Sequence, residues 1–265
     1  MLVVIRGAGD LASGVALRLH RAHIPVVMTD LEKPTAIRRT VAFSEAIVHG
    51  ETVVEDVTAR RANTPEEALA LLKEKVIPVL ADPGASCISA LYPDAVVDAI
   101  LAKRNLGTRM TDAQVVIALG PGFTAGVDCH AVVETMRGHT LGRVYYEGSA
   151  LPNTGIPGLI GGFSGERVLR APADGVFRAC FPIGASVREG DIAGTVNGVP
   201  MICTLTGVLR GILTDGTEVC AGMKAGDIDP RCKVEHCYTV SDKALSVGGG
   251  VLEALLHLSN PYKED

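Results

Sequence analysis

Two stretches of this sequence carry residue types at spacings that could do chemistry. The first is Arg6-Gly7-Ala8-Gly9-Asp10-Leu11-Ala12, a G-x-G-x-x-A pattern, with Asp30 twenty-one residues beyond Gly9. Gly7 permits a tight turn, Gly9 lets a phosphate approach the main chain, and Ala12 is small enough to pack a following helix onto its strand. Asp30 stands where a carboxylate would accept ribose hydroxyls. Asp10 stands against this reading, because a carboxylate beside a pyrophosphate repels it unless it caps the helix or meets a metal.

The second stretch is Gly120-Pro121-Gly122-Phe123-Thr124-Ala125-Gly126, followed by Asp128-Cys129-His130 and Glu134. Successive backbone N–H groups at Gly120, Gly122, Phe123 and Thr124 could form an anion nest, or the run could be a rigid glycine turn. On a helix His130 and Glu134 would share a face, a spacing that orients an imidazole as a base or, with Asp128, holds a metal. A salt-bridged surface pair has the same spacing. Cys87 and Cys129 are the thiols nearest expected strand ends, where a lowered pKa would make a nucleophile and burial an inert side chain. Cys232, His236 and Cys237 lack the paired C-x-x-C spacing of structural zinc.

The elements that would position these groups follow from hydrophobic patterning. Met1–Ile5 and 25–29 read as strands flanking a helix with apolar positions at 11, 12, 15, 16 and 19. Residues 45–58 alternate weakly, as one or two short strands. A helix is expected over 65–75, with Thr64 as N-cap and Pro65 at its first position. Runs at 76–81, 95–100 and 115–119 suit parallel strands feeding ligand loops at their carboxyl ends. From Gly120 to Gly165 the pattern thins into a long irregular stretch.

Residues 171–226 contain a repeat: Gly175-Val176-Phe177-Arg178, Gly184, Val187 and Gly190 recur thirty-two residues later as Gly207-Val208-Leu209-Arg210, Gly216, Val219 and Gly222. Two such halves meeting at Asn197-Gly198 are similar to biotinyl and lipoyl domains. The tip, Val196–Met201, has no lysine to carry a cofactor. The expected architecture is therefore α/β: a Rossmann-like parallel-sheet domain over 1–165, a barrel-sandwich hybrid domain over 166–230, and a C-terminal segment with a helix over 231–265. In that last helix Gly248-Gly249-Gly250 implies close packing or a break.

Composition narrows the function classes. The chain has 265 residues, 47% hydrophobic, with a formal charge of −5, 4% aromatics and seven cysteines. No apolar run is long enough for a membrane span. Charge and scarce aromatics disfavour nucleic acid. The opening strand leaves no room for a signal peptide, and an odd cysteine count without framework spacing suggests reduced thiols, so a cytoplasmic location is expected. A symmetric homodimer is the base-rate expectation.

Long blocks of the sequence carry a family resemblance. Arg6–Gly14, Gly120–His130, Glu134–His139, Pro152–Gly158 and Asp227-Ile228-Asp229-Pro230-Arg231 together resemble the YqeB family, accessory proteins of selenium-dependent molybdenum hydroxylase systems with kinship to XdhC proteins. The resemblance implies a cytoplasmic maturation factor for a hydroxylase of the xanthine dehydrogenase type. Its partners would be the molybdenum hydroxylase subunit and a phosphate-bearing small molecule. The ligand, NAD(P), another nucleotide or the molybdenum cofactor, would lie across Gly7, Gly9, Asp10, Ala12, Asp30 and the 120–126 loop. Two alternatives stand beside it. One is an NAD(P)-dependent oxidoreductase with His130 as proton donor, Glu134 as its orienter and Asp128 beside them; the other is a non-enzymatic adaptor that docks the hydroxylase.

Overall fold

The computed structural model describes residues 1–259, so the last six residues of the expected C-terminal segment lie outside it. Residues group into two units, one of 1–34, 43–154 and the chain from Val240 on, the other of 35–42 and 155–239.

The first unit is built on a nine-stranded sheet. In chain order its elements are β1 (Val3–Arg6), α1 (Asp10–Arg21), β2 (Val26–Asp30), α2 (Glu45–His49), β3 (Glu51–Val54), β4 (Val57–Ala62), α3 (Pro65–Lys73), β5 (Ile77–Ala81), α4 (Ile88–Leu91), β6 (Ala95–Asp98), β7 (Val115–Leu119), β8 (Ala131–Val133), β9 (Val144–Tyr145) and, after the second unit, α5 (Asp242–Leu258). The sheet order is β3-β4-β5-β2-β1-β6-β7-β8-β9. The seven strands from β4 to β8 run parallel, and β3 and β9 close the edges antiparallel. β1, β6 and β7 are buried along their whole length; β7 is an unbroken apolar run, while β1 and β6 are apolar up to a buried charged last residue, Arg6 and Asp98. Burying one such Val, Ile or Leu side chain contributes roughly 1.5–3 kcal/mol. α3 starts where expected, with the Thr64 hydroxyl accepting the Glu67 N–H at 3.2 Å and Pro65 in the first turn.

α1 buries Ala12, Ser13, Gly14, Val15, Ala16, Leu17 and Leu19, too many for one face, because it packs on the sheet and also on α5. The α1–α5 contact explains Gly248, and the approach of α5 to Gly142 explains Gly250. A Cβ on Gly248 would lie 2.8 Å from the Gly14 carbonyl oxygen, and one on Gly250 would overlap the Gly142 carbonyl oxygen. α5 passes through all three glycines unbroken, so the triplet permits close approach. Gly249 faces open space.

The second unit contains β10 (Val168–Arg170), β11 (Gly175–Ala179), β12 (Ser186–Val187), β13 (Ile192–Val196), β14 (Val199–Ile202), β15 (Gly207–Ile212), β16 (Glu218–Val219) and β17 (Lys224–Asp229). They form two four-stranded antiparallel sheets, β10-β17-β15-β12 and β14-β13-β11-β16. The repeat halves exchange strands: β11 of the first pairs with β16 of the second, and β15 of the second with β12 of the first. Phe177, Leu209, Ile212 and Ile228 fill the core between them.

The expected Rossmann-like parallel domain followed by a barrel-sandwich hybrid is corrected by this topology. The large sheet is mixed. No α-helix separates β6 from β7 or β7 from β8, so the strand–helix alternation of a doubly wound sheet is missing. Downstream lie two antiparallel sheets, and their unit draws in 35–42 from far upstream. The strand reading of 45–58 is also revised, since 45–49 form α2 ahead of the β3–β4 hairpin.

A buried ionic network runs beside β17. Asp227 receives Arg210 Nε at 2.7 Å and Arg167 at 3.2 Å; Asp229 receives Arg231 Nη2 at 2.6 Å and Nε at 2.9 Å. Asp229 is fully buried. Burial raises its pKa, but hydrogen bonds from Arg231 and the charges of Arg210 and Arg231 outweigh this and hold it well below 3.8.

Two predictions follow from the packing. Gly249→Ala stabilises the protein by about 1 kcal/mol, the helix-propensity difference, whereas Gly248→Ala and Gly250→Ala destabilise it in urea unfolding. Asp229→Asn costs about 3–5 kcal/mol, because it strands buried guanidinium charge. A carboxylate whose folded pKa is depressed adds stability above its unfolded value and loses it as pH falls through the folded one. The difference between wild type and Asp229→Asn is therefore full at pH 6 and shrinks below pH 3.8.

Candidate functional site

The carboxyl ends of the parallel strands form one edge of the large sheet, the place where open α/β sheets bind ligands. Acidic residues mark that edge, and each is engaged with the chain's own loops. Asp30, at the end of β2, accepts the N–H of Ala8 at 2.7 Å and of Leu31 at 2.7 Å. Asp82, just past β5, accepts Cys87 N–H at 2.8 Å. Asp98, ending β6, accepts Ile100 N–H at 3.2 Å and the Thr108 hydroxyl at 2.6 Å, and Arg6 beside it on β1 donates to the same hydroxyl. Glu134, just past β8, accepts Met136 N–H at 2.7 Å and Leu151 N–H at 2.8 Å with no exposed surface.

The glycine turn is likewise closed from within. Gly7 has φ +104°, and a Cβ there would lie 2.8 Å from the Ala99 carbonyl oxygen, so the residue is demanded by turn and packing together. Ala8 is fully buried, its N–H given to Asp30 and its carbonyl taken by Ser44 N–H at 2.9 Å and the Ser13 hydroxyl at 3.2 Å. Ser13 in turn accepts Phe43 N–H, so the buried Phe43-Ser44 segment lies on the turn. Gly9 is the N-cap of α1 and offers no side-chain cap; Asp10 occupies the first turn, and Ala12 is buried against the core. Burial raises the Asp30 pKa, partly offset by its two backbone hydrogen bonds.

The Gly120–Gly126 loop is tied to neighbouring segments by its own N–H groups. Gly120 N–H reaches Val133 O, Thr124 N–H reaches Asp128 Oδ2 at 2.8 Å, Ala125 N–H reaches Gly148 O, and Gly126 N–H reaches Cys129 O. Gly122 has φ +107°, and Phe123 is buried in the core. Asp128 closes the turn and also accepts Asn105 Nδ2 at 3.3 Å. The helical pairing of His130 and Glu134 is corrected: 131–133 are β8, which places the two backbone positions about 13 Å apart. His130 is tied to β7, Nδ1 accepting Val116 N–H at 2.9 Å, so imidazole and carboxylate serve different loops. Among the described residues no His/Cys/Asp/Glu group has metal-binding geometry.

Both strand-end thiols are buried and held toward the protonated form. Burial, then the charge of Asp82, pushes Cys87 up to about 12; burial, then Asp128, does the same to Cys129.

The edge does contain an open site, at the ends of β4 and β5. A cleft of about 320 Å³ is lined by Glu32, Arg61, Asn63, Asp82, Ser86 and Cys87, with Leu80 and Ala90 among its apolar members. Arg61 is positioned by a 2.8 Å bond to Ile47 O and pairs with the exposed Glu32 at 3.0 Å. Burial raises the pKa of Asp82, but hydrogen bonds from Cys87 and Ser86 outweigh it and keep the carboxyl ionised. No sequence motif marks this cleft. The visible signal was Asp82 following an apolar strand run as Asp30 does, with Arg61 at the end of a neighbouring strand.

No protein-family model matches the chain. Over 257 residues it is 56% identical to "Uncharacterized protein YqeB" of Escherichia coli K12, a match covering 97% of this chain and 48% of that one. The chain thus spans about half the length of the curated relative it matches. Among solved structures it is similar to an aspartoacylase family protein from Mesorhizobium loti (12% identity, TM-score 0.27, 86% of this chain and 84% of that one). A succinylglutamate desuccinylase from Silicibacter sp. TM1040 (13%, 0.26, 86% and 84%) and the ectoine utilization protein EutE from Ruegeria pomeroyi (12%, 0.25, 80% and 61%) are similar to the same extent. Likenesses this weak assign no activity.

These findings correct the expected selenium and molybdenum role. The sequence relative is described only as uncharacterized, so no selenium or molybdenum role comes from it. The Rossmann nucleotide-binding reading is corrected with the fold, and Asp30, the expected ribose acceptor, is engaged by the N–H groups of Ala8 and Leu31. The oxidoreductase and hydroxylase-adaptor alternatives lose their footing with the His130–Glu134 pair and the hydroxylase link. Among the described residues no helix is long and apolar enough to cross a membrane.

The thiol environments predict a labelling order. In native protein at pH 8 a disulfide reagent modifies the exposed Cys180, Cys220 and Cys232 within minutes, while Cys87 and Cys129 react only on unfolding. Mass mapping that found Cys87 or Cys129 among the fast sites would refute the burial argument.

Proposed function

We propose that the first unit binds a small anionic metabolite, carrying a phosphate or carboxylate, in the cleft at the ends of β4 and β5. The observation that carries this reading is the cleft itself, about 320 Å³ with a positioned guanidinium, a carboxylate kept ionised, and amide and hydroxyl groups among its lining residues. That volume lies at the lower end of small-molecule sites.

Arg61 supplies the charge. Its partner Glu32 has a side chain 64% exposed, and pairs of this kind are worth about 0–1 kcal/mol. A ligand anion therefore exchanges for Glu32 at little cost, and the Ile47 carbonyl keeps the guanidinium in place meanwhile. Asp82 and Asn63 then select for ligands with hydroxyl or amine donors. With Cys87 protonated at neutral pH, the cleft supports recognition rather than covalent catalysis.

A thermal-shift screen of hydroxy acids, amino acids and sugar phosphates tests this. A ligand at a hundredfold excess over Kd stabilises the protein by about 2.7 kcal/mol, and Arg61→Ala or the cleft-filling Ala90→Trp abolishes the shift. No shift from any compound, or a shift unchanged in both variants, overturns the proposal.

A further inference from the structure

The charges lining the cleft at the ends of β4 and β5 are unequal. Among its described lining residues two carboxylates, Glu32 and Asp82, stand with one cation, Arg61. Sheet order brings them together: β5 lies between β4 and β2, so Arg61 on β4 reaches past β5 to Glu32, which follows β2, and Asp82 is the residue after β5. Both Glu32 oxygens accept from the same atom, Arg61 Nη2, at 3.0 and 3.2 Å, while Nη1 is held by the Ile47 carbonyl at 2.8 Å. A ligand carboxylate therefore has a defined place, the one Glu32 occupies.

What the ligand carries besides that carboxylate is set by the remaining charge. With Glu32 displaced but still tethered beside the cleft, and Asp82 ionised, a purely anionic ligand leaves one guanidinium with three carboxylates, the ligand's own included. A phosphate dianion makes the excess larger, and like charges repel. A group that is positive at neutral pH removes it. An ammonium also finds acceptors, because Asp82, the Ser86 hydroxyl and the Asn63 amide line the same cleft. We propose that the ligand of this cleft is a free amino acid, its carboxylate on Arg61 Nη2 and its ammonium among Asp82, Glu32 and Ser86. This rests on the cleft being the small-molecule site argued above, and it narrows that site's anion to a zwitterion. The surplus carboxylates then act as a filter against hydroxy acids and phosphates that Arg61 alone would accept.

Calorimetric titration of the whole chain with the protein L-amino acids, the 2-hydroxy acids bearing the same side chains, the N-acetyl amino acids and glycerol 3-phosphate tests this. At least one amino acid binds, its hydroxy and N-acetyl counterparts bind about tenfold or more weakly for want of the ammonium, and Arg61→Ala abolishes binding. Asp82→Asn, which keeps an acceptor for the Cys87 N–H, lowers affinity for the amino acid by about tenfold and leaves that for the hydroxy acid unchanged. A hydroxy acid, an N-acetyl amino acid or glycerol 3-phosphate that binds as tightly as any amino acid, in an Arg61-dependent way, overturns the amino-acid assignment and leaves the cleft a small-molecule site. No binding by any probe, or binding unaffected by Arg61→Ala, overturns both. Equal affinity of wild type and Asp82→Asn for the amino acid overturns the assignment as well.

Discussion

A parallel sheet ends every strand on the same side, and each loop leaving that side brings backbone N–H groups that need acceptors. In this protein carboxylates near those strand ends meet the need. Asp30 holds the glycine turn across from β1, Asp82 the start of α4, Asp98 the loop after β6, and Glu134 two loops at once. A charged acceptor makes a stronger hydrogen bond than a neutral one. The irregular loops between β6 and β9, which have few regular elements of their own, depend on these bonds for their shape.

The second unit solves a related problem with ion pairs. Asp227 and Asp229 sit at the end of β17 with almost no exposed surface, and Arg167, Arg210 and Arg231 reach them from three different segments. Replacing such a network wholesale by apolar residues is often neutral, so its presence is weak evidence of stability. What it does achieve is geometric. Forked guanidiniums fix the relative positions of the segments around residues 158–167, β15 and 229–236, a region that offers little apolar surface for the purpose.

Much of the fold was legible because it rested on local patterning. The strands at 77–81 and 115–119 are uniformly apolar and bounded, Thr64-Pro65 marks a helix start, and the thirty-two-residue repeat reflects two halves that trade strands. Sheet composition was less legible, since edge strands β3 and β9 are short and half-exposed, and nothing local says whether they run parallel. Residues 130–134 misled because a four-residue spacing suits a helix face, while Ala-Val-Val between the polar ends has the bulk of a buried strand. For the site, the acids were visible at strand ends, but their partners were backbone groups up to twenty-two residues away, and hydrogen bonding to a distant loop leaves no trace in composition.

This division separates structural charge from charge available to a ligand. Asp30 and Glu134 each accept two loop N–H groups, and Asp98 an N–H and a hydroxyl, so much of their accepting capacity is committed to the chain's own loops although they stand where α/β proteins keep functional acids. Arg61 differs in the relevant respect: its position comes from a backbone carbonyl, and its charge is met only by a solvent-exposed glutamate that water can replace. The glycine excess obeys the same logic. Gly7, Gly248 and Gly250 are required by close backbone contacts inside the protein, so these three owe their place to packing.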